Sequence, residues 1–308
     1  IPEVEGMSQT QSSSRKRPYG LQRVCRVWQF PRSTVNEHRR RAALCPEERP
    51  EPKKRGPQGP CTDDELAEKI RQLLKASPFH GEGYRKMWAQ LRAKDIRTSK
   101  ERVRRVMGEH GLQVPQRDGQ PHGPRAHDGT IVTERPEVMW GTDMTTTVTT
   151  AEGTATVFVA VDHCNSECIG IHAAPTGDRF EALEPIHQGI REHFDGVQEG
   201  SATGLKLRHD HGTAYMSDHF QKQIDFLGIE SSPSFVREPE GNGCSERFIR
   251  TLKENLLWVR YFATVEELRL ALLEFKRLYN EQWLLERHNY QTPTQVRLNF
   301  EQKLSKAA

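Results

Sequence analysis

Three acidic residues stand in settings that give a carboxylate work to do. Asp143 lies in Trp140-Gly141-Thr142-Asp143-Met144-Thr145, and Asp210 ends Leu205-Lys206-Leu207-Arg208-His209-Asp210. Glu246 lies in Asn242-Gly243-Cys244-Ser245-Glu246-Arg247-Phe248-Ile249-Arg250-Thr251-Leu252-Lys253. Between Asp210 and Glu246 there are 35 residues. Carboxylates are the hard oxygen ligands that Mg²⁺ prefers to His or Cys. Glu246, Arg250 and Lys253 fall at i, i+4 and i+7, so they share one helix face. Phe248, Ile249, Leu252 and Leu256 populate the other side and are expected to pack on a sheet. A carboxylate beside two cations suits a metal ligand next to a DNA phosphate. The plain alternative is an amphipathic helix with a surface Glu–Arg pair, because exposed helix charges are common.

The elements that must position these residues can be read from periodicity. Residues 138–150 are rich in Val and Thr and predict a strand through Asp143. Residues 154–161 predict a second strand, with Glu152-Gly153 as the turn. Residues 168–173 predict a third. Leu183, Ile186, Ile190 and Phe194 have helical spacing. A fourth strand over 205–209 ends on Asp210, a helix follows over 217–227, and a fifth strand over 229–236. Residues 238–243 form a glycine-containing loop ahead of the Glu246 helix. Two carboxylates on adjacent strands and one on a following helix can converge on one place.

The pattern resembles the D,D(35)E signature of retroviral integrases and of bacterial insertion-sequence transposases. The resemblance extends beyond the three acids. Residues 19–28 and 31–34 are similar to the opening of the second-frame protein of two-frame insertion sequences, the IS-three family. Residues 83–91 look like that family's helical DNA-binding segment. Residues 210–217 match the stretch after its second Asp, apart from His211, and residues 279–293 resemble its C-terminal end. The family's first-frame helix-turn-helix and leucine-zipper segments are not visible, so the chain looks like the second-frame product alone or part of a frameshift fusion. The resemblance implies an α/β, ribonuclease-H-like integrase core with N-terminal helical modules. It also implies a DDE transposase that cleaves transposon 3′ ends and transfers the strands, with Asp143, Asp210 and Glu246 as catalytic residues and metal ligands. Two Mg²⁺ ions per site are implied, with Asp143 the bridge and Mn²⁺ able to substitute. No Ser or Tyr nucleophile is needed. The implied partners are transposon-end and target DNA, a second copy of the chain on paired ends, and a first-frame protein.

Charge divides the chain. Residues 1–130 hold 27 Lys and Arg against 16 Asp and Glu, while residues 131–308 hold 18 against 26. The front is suited to phosphates and the back to cations. In the front, Leu21, Val24 and Trp28 have helical spacing, and Arg39, Arg40 and Arg41 close a second short helix. Such a pair could be a small helix-turn-helix, with solvated charge as the alternative. Thr62 is expected to cap a helix through Lys75. Two more helices are expected over about 81–94 and 98–110, the last carrying Arg102, Arg104 and Arg105. With Arg250 and Lys253, these six arginines are the candidate DNA contacts. Tyr84 and Trp88, at i and i+4, are read as core residues. The expected organisation is a basic helical segment at 1–45, a linker at 46–61 and a helical DNA-binding domain at 62–114. A second linker at 115–130, a catalytic core at 131–260 and a C-terminal helical extension at 261–308 follow. On this division a fragment starting near Thr130 should keep the core fold.

Several rivals can be weighed. Asp162 ends the second strand and is read as a turn residue. Strand alternation sends His209 and His211 away from Asp210. His163, Cys164, Cys168 and His172 lack a second ligand pair with zinc spacing. The six cysteines are scattered, as is ordinary for a cytosolic protein. No apolar run approaches the ~18 residues of a membrane span, and no signal segment opens the chain. A cytoplasmic, nucleoid-associated enzyme is expected. Two alternatives stay open: a catalytically idle DNA-binding regulator of transposition, and a ribonuclease-H-like nuclease.

Overall fold

The computed structural model describes residues 1–45, 61–114, 131–234 and 242–307. The expected linkers (Cys61 apart), the end of the fifth strand at Val236 and loop residues 238–241 lie outside the described residues. The chain divides into two compact units, Ile1–Gln58 and Gly59–Ala308.

The first unit contains α1 (Pro2–Gln9), α2 (Leu21–Val27) and α3 (Arg32–Ala43). A small cluster of Val4, Val24, Cys25 and Val35 joins them. Helix α1 gave no signal in the sequence, because only Val4 and Ser8 of it are buried and no apolar stripe forms. Its Pro2 sits in the first turn, where a missing N–H costs nothing. Trp28 lies just past α2 and is exposed, so the apolar stripe of that helix stops at Val24.

The second unit begins with a three-helix module of α4 (Asp63–Ala76), α5 (Tyr84–Ala93) and α6 (Lys100–Glu109). Thr62 and Glu65 form a reciprocal capping box at the start of α4, and Ser99 caps α6. Leu66, Ile70, Met87, Leu91, Val103 and Val106 are among the side chains of its core. Tyr84 and Trp88 pack partly buried against that core. The Trp88 Nε1–H donates to the Thr98 carbonyl at 2.9 Å, which fits the core reading.

Among the described residues five strands form one mixed sheet in the order β3-β2-β1-β4-β5. Strands β1 (Met139–Thr149), β2 (Gly153–Asp162) and β3 (Cys168–Ala174) are antiparallel. Strands β4 (Lys206–His209) and β5 (Glu230–Pro233) run parallel to β1. This is the ribonuclease-H-like α/β arrangement expected from the sequence. Alternation assigns the two faces. Trp140, Phe158, Ala160 and Ile169 cluster with residues of α7 (Glu184–His193) and α8 (Asp218–Phe226). Val157, Val159, Val161 and Ile171 cluster with residues of α9 (Gly243–Leu252) and α10 (Val265–Gln282). Phe248, Ile249 and Leu252 are buried there, with Leu256 partly buried against them, as the helical spacing predicts.

Two features cross the expected boundaries. Leu268, Leu272, Phe275 and Tyr279 of α10 belong to the same cluster as β2, so residues 261–282 complete the core rather than extend from it. Phe79, from the link between α4 and α5, also enters that cluster. Its ring meets Trp283 edge-on at 4.9 Å and Phe275 at 6.3 Å. Burying such a ring contributes roughly 2 kcal/mol, so a core cut at Thr130 loses part of its own interior. Finally, α11 (Pro293–Ala307) inserts the buried Arg297 between Glu167 and Glu137, with Arg297 Nε donating to Glu167 at 2.5 Å.

Candidate active site

Strand pairing sets two of the three carboxylates. Gly141 of β1 is the partner of Arg208 of β4. Asp143 and Asp210 each stand two residues beyond that pair, Asp210 just past the end of its strand. Across the other edge of β1, Asp143 is opposite Val159, whose side chain belongs to the α9–α10 cluster. Asp143 therefore lies on the face that α9 covers. Glu246 occupies the first turn of α9. Asn242 ties the start of that helix to β1, its Nδ2–H donating to the Thr142 carbonyl at 3.0 Å.

The carboxylates differ in setting. Asp143 is half-buried, and its Oδ1 accepts the Met144 N–H at 2.8 Å. Burial pushes its pKa up to about 6, and the charges of Asp210 and Glu246 push the same way, against the Met144 hydrogen bond and Lys253. Asp210 is exposed, and its Oδ1 accepts the Gly212 N–H at 2.8 Å. Partial desolvation raises Glu246 as well. The three groups thus share one electrostatic neighbourhood. Among the described residues, however, no three His, Cys, Asp or Glu side chains are grouped closely enough to hold an ion. An all-carboxylate donor set fits a hard dication, and the repulsion from Asp210 and Glu246 that adds to the effect of burial on Asp143 is what a dication relieves.

The cations beside Glu246 differ in their partners. Arg250 is exposed and paired with Glu254 at 3.1 Å. Lys253 opens a π-helical turn, Lys253–Leu257, that departs from the 3.6-residue spacing. It remains near enough for its charge to act on Asp143. Arg247 was not singled out by helical spacing, because it is only one residue from Glu246. Its guanidinium is exposed and makes no hydrogen bond or ion pair among the described residues. It lines a cleft of about 280 Å³ together with Arg85, Lys86, Trp283 and Arg287. The Lys86 ammonium lies over the Trp283 ring at 2.7 Å, and burial lowers its pKa to about 7. The adjacent Arg85 and Lys86 within residues 83–91 are the one local signal that could have pointed to this cleft.

The front-half arginines hold internal partners. Arg39 pairs with Glu5 at 2.6 Å, and Arg40 and Arg41 pair with Glu37. Arg102 bonds Asp63 and the Cys61 carbonyl, and Arg105 bonds Asp63 and Glu109. These two guanidiniums hold the Asp63 pKa down at about 2 and stitch α6 to α4. Arg104 sits 3.5 Å from Glu101 and is exposed.

The rival residues have structural roles. Asp162 is buried and accepts the N–H groups of Glu137, Cys164 and Asn165, which makes it a strand-end turn. His209 is buried against Tyr215 and Phe220, in the cluster on the opposite face from Asp143. His172 pairs with Glu181 at 2.6 Å rather than with a cysteine.

Residues 62–119 match the HTH-like domain family, and residues 227–293 match the integrase core domain family. The chain is 25% identical over 202 residues to transposase InsD for insertion element IS2A/D/F/H/I/K of Escherichia coli. The match covers 64% of this chain and 66% of that one, just under two thirds of the relative. InsD for insertion element IS2-9 of Escherichia coli (strain K12) is equally similar, at 25% identity over 202 residues. Among solved structures, the catalytic core domain of BIV integrase is 18% identical with a TM-score of 0.40, covering 55% of this chain and 99% of that one. The HTLV-2 integrase catalytic core domain in complex with magnesium is 17% identical with a TM-score of 0.40, covering 53% and 98%. No helix among the described residues is long and apolar enough to cross a membrane. The chain thus joins an HTH-like domain to an integrase core domain.

Proposed function

We propose that the chain is a DNA transposase that cleaves the 3′ ends of an insertion sequence and joins them to target DNA. The observation that carries this reading is the placement of Asp143 and Asp210 level with each other at adjacent strands, with Glu246 in the first turn of the helix that covers the same face, the charges of the last two adding to the rise at the first. The integrase core match and the InsD similarity support it. Asp143, Asp210 and Glu246 are the catalytic residues and would hold the Mg²⁺ ions. Bound there, Mg²⁺ supplies activation of a water or 3′-OH and stabilises the leaving 3′ oxygen. The chain's own part is positioning. Lys253, whose charge reaches Asp143, suits the phosphates next to the scissile bond, and Arg247, in the cleft with Arg85 and Arg287, suits a phosphate farther along the DNA. Ion pairs as exposed as those of Arg39, Arg40, Arg41 and Arg104 are weakened by solvent and salt, so phosphates can displace their partners. Assembly as a dimer or higher on paired ends, a first-frame partner and work on the bacterial nucleoid belong to the same reading.

The test is substrate choice. Terminal inverted-repeat duplexes, random duplexes and RNA–DNA hybrids are incubated with the full chain and Mg²⁺. Specific 3′ cleavage and strand transfer on the terminal duplexes are expected. Cleavage confined to the hybrids would replace this reading with a ribonuclease, and tight end binding without either reaction would leave a regulator.

A further inference from the structure

Three buried polar atoms converge behind the carboxylates. His163 Nε2, Ser245 Oγ and Asn242 Oδ1 are each buried without a hydrogen-bond partner among the described residues. All three crowd the Cα of Gly141. A Cβ there would stand 2.5 Å from Ser245 Oγ, 2.7 Å from His163 Nε2 and 2.8 Å from Asn242 Oδ1. The four residues come from three places that matter. Gly141 is two residues before Asp143 on β1, His163 follows the end of β2, and Asn242 and Ser245 flank the start of the helix bearing Glu246.

Leaving such buried groups unpaired is costly, so small rotations that pair them are favoured. The protonation pattern says how. His163 Nδ1 is 3.0 Å from the Ile131 carbonyl, which only accepts, so Nδ1 carries the hydrogen. Burial disfavours the imidazolium, which leaves Nε2 with a bare lone pair. Asn242 already spends an Nδ2–H on Thr142 and turns Oδ1, an acceptor, toward the same point. Of the three converging atoms only the Ser245 hydroxyl can donate, and it sits one residue from Glu246.

We infer that His163 and Ser245 form a positioning couple that locks the first turn of α9 onto the end of β2, against Gly141 of β1, and so sets the distance between Glu246 and Asp143. Neither side chain touches DNA or metal, because both are fully buried. Gly141 is required because any larger residue would wedge this contact open. The inference rests on Glu246 being a metal ligand, as proposed above. Loss of the couple moves Glu246 without removing it, so divalent-ion affinity falls while end binding stays.

The experiment uses the full chain with Mn²⁺ as probe. His163→Ala, Ser245→Ala, the double variant, His163→Gln and Glu246→Gln are compared. Mn²⁺ affinity is measured by calorimetry without DNA, alongside melting temperature and end binding. Losses from removing groups that orient metal ligands run about 10–100-fold. Each single variant is expected to weaken Mn²⁺ about tenfold, at the low end of that range. The double variant should be no weaker than either single, because one contact is broken only once. His163→Gln, which keeps an acceptor, should recover part of the loss. Unchanged Mn²⁺ affinity in Ser245→Ala, which removes a single oxygen and is the mildest change, overturns the inference. So does strict additivity. If Glu246→Gln also leaves Mn²⁺ affinity unchanged, the ligand assignment of Glu246 fails; if Glu246→Gln weakens it and Ser245→Ala does not, only the positioning role fails.

Discussion

Asp143 and Asp210 stand level across two parallel strands, each two residues beyond the Gly141–Arg208 pair. A one-residue slip of β4 would send Asp210 to the opposite face of the sheet. The register is held by the pairing itself and by Trp140 and Leu207, which are partners across the same two strands and are both fully buried. The geometry of the acids is therefore inherited from the hydrophobic core.

Isosteric neutralisation is the direct test of the three acids. Asp143→Asn, Asp210→Asn and Glu246→Gln should each reduce cleavage and strand transfer by at least a factor of about 10³, on the scale of a lost transition-state contact. End binding should change little. Gel assays with labelled terminal duplexes read both, and substantial strand transfer by one variant removes that residue from the catalytic set.

Asp143 also makes a prediction about pH. Its carboxyl titrates near 3.8 in an ordinary setting and at about 6 in the fold. The native state thus binds the proton more tightly than the unfolded chain. Stability from this group is present below the ordinary value and declines as pH rises through about 6. Asp143→Asn should therefore stabilise the metal-free protein at neutral pH, by on the order of 1 kcal/mol, and give no gain in acid. Activity of the wild type runs the other way. Ligation needs the ionised carboxylate, so Mn²⁺ affinity should rise as pH passes upward through about 6. Melting curves and Mn²⁺ titrations across this range check both directions.

Much of this was legible beforehand, for identifiable reasons. The strand carrying Asp143 is rich in Thr and runs to a glycine turn, Asp210 directly follows a short strand, and the Glu246 helix has a clean apolar stripe. What periodicity missed was set by contacts distant in sequence. Phe79 reads as a loop residue and is core only because Phe275 and Trp283 receive it. Arg102 reads as a DNA contact and is held by Asp63, 39 positions away. Lys253 caps α9 in helical conformation, and the π-helical turn that follows it has no signature in the spacing of the sequence. The meeting of His163 with Ser245 joins residues on different elements, and no local pattern announces it.

Activity should depend on the divalent ion. Mg²⁺ and Mn²⁺ should support cleavage, and Ca²⁺ should support binding only, because its looser geometry does not align the reacting atoms. Reaction in excess chelator would contradict an all-carboxylate metal site.

The cations near Glu246 should separate. Arg247 has no internal ion pair among the described residues, whereas Arg250 is held by Glu254. Arg247→Ala should lower the slope of log affinity against log salt by about 0.9, the value for one phosphate contact. Arg250→Ala should alter it less. Equal slopes for both would mean that the Glu254 pair opens freely and that Arg247 has no special position.

The division of labour between the two compact units supplies the last prediction. Residues 1–58 hold 13 Lys and Arg against 6 Asp and Glu, so their removal should reduce the salt sensitivity of DNA binding. Residues 59–308 should still unfold in one cooperative transition, since the three-helix module and the sheet share Phe79. A shorter fragment starting at Ile131 should behave worse than its intact sheet suggests. It lacks Phe79, and it also lacks the His80 backbone N–H that Asn255 accepts at 2.7 Å. Phe275 and Trp283 are left facing water, with an expected loss of roughly 2 kcal/mol or more. Melting curves and end-binding isotherms at two salt concentrations compare the three lengths. If the fragment from Ile131 melts like the one from Gly59, Phe79 is a passenger on the core; if the fragment from Gly59 keeps the full salt slope, the first unit does not meet DNA.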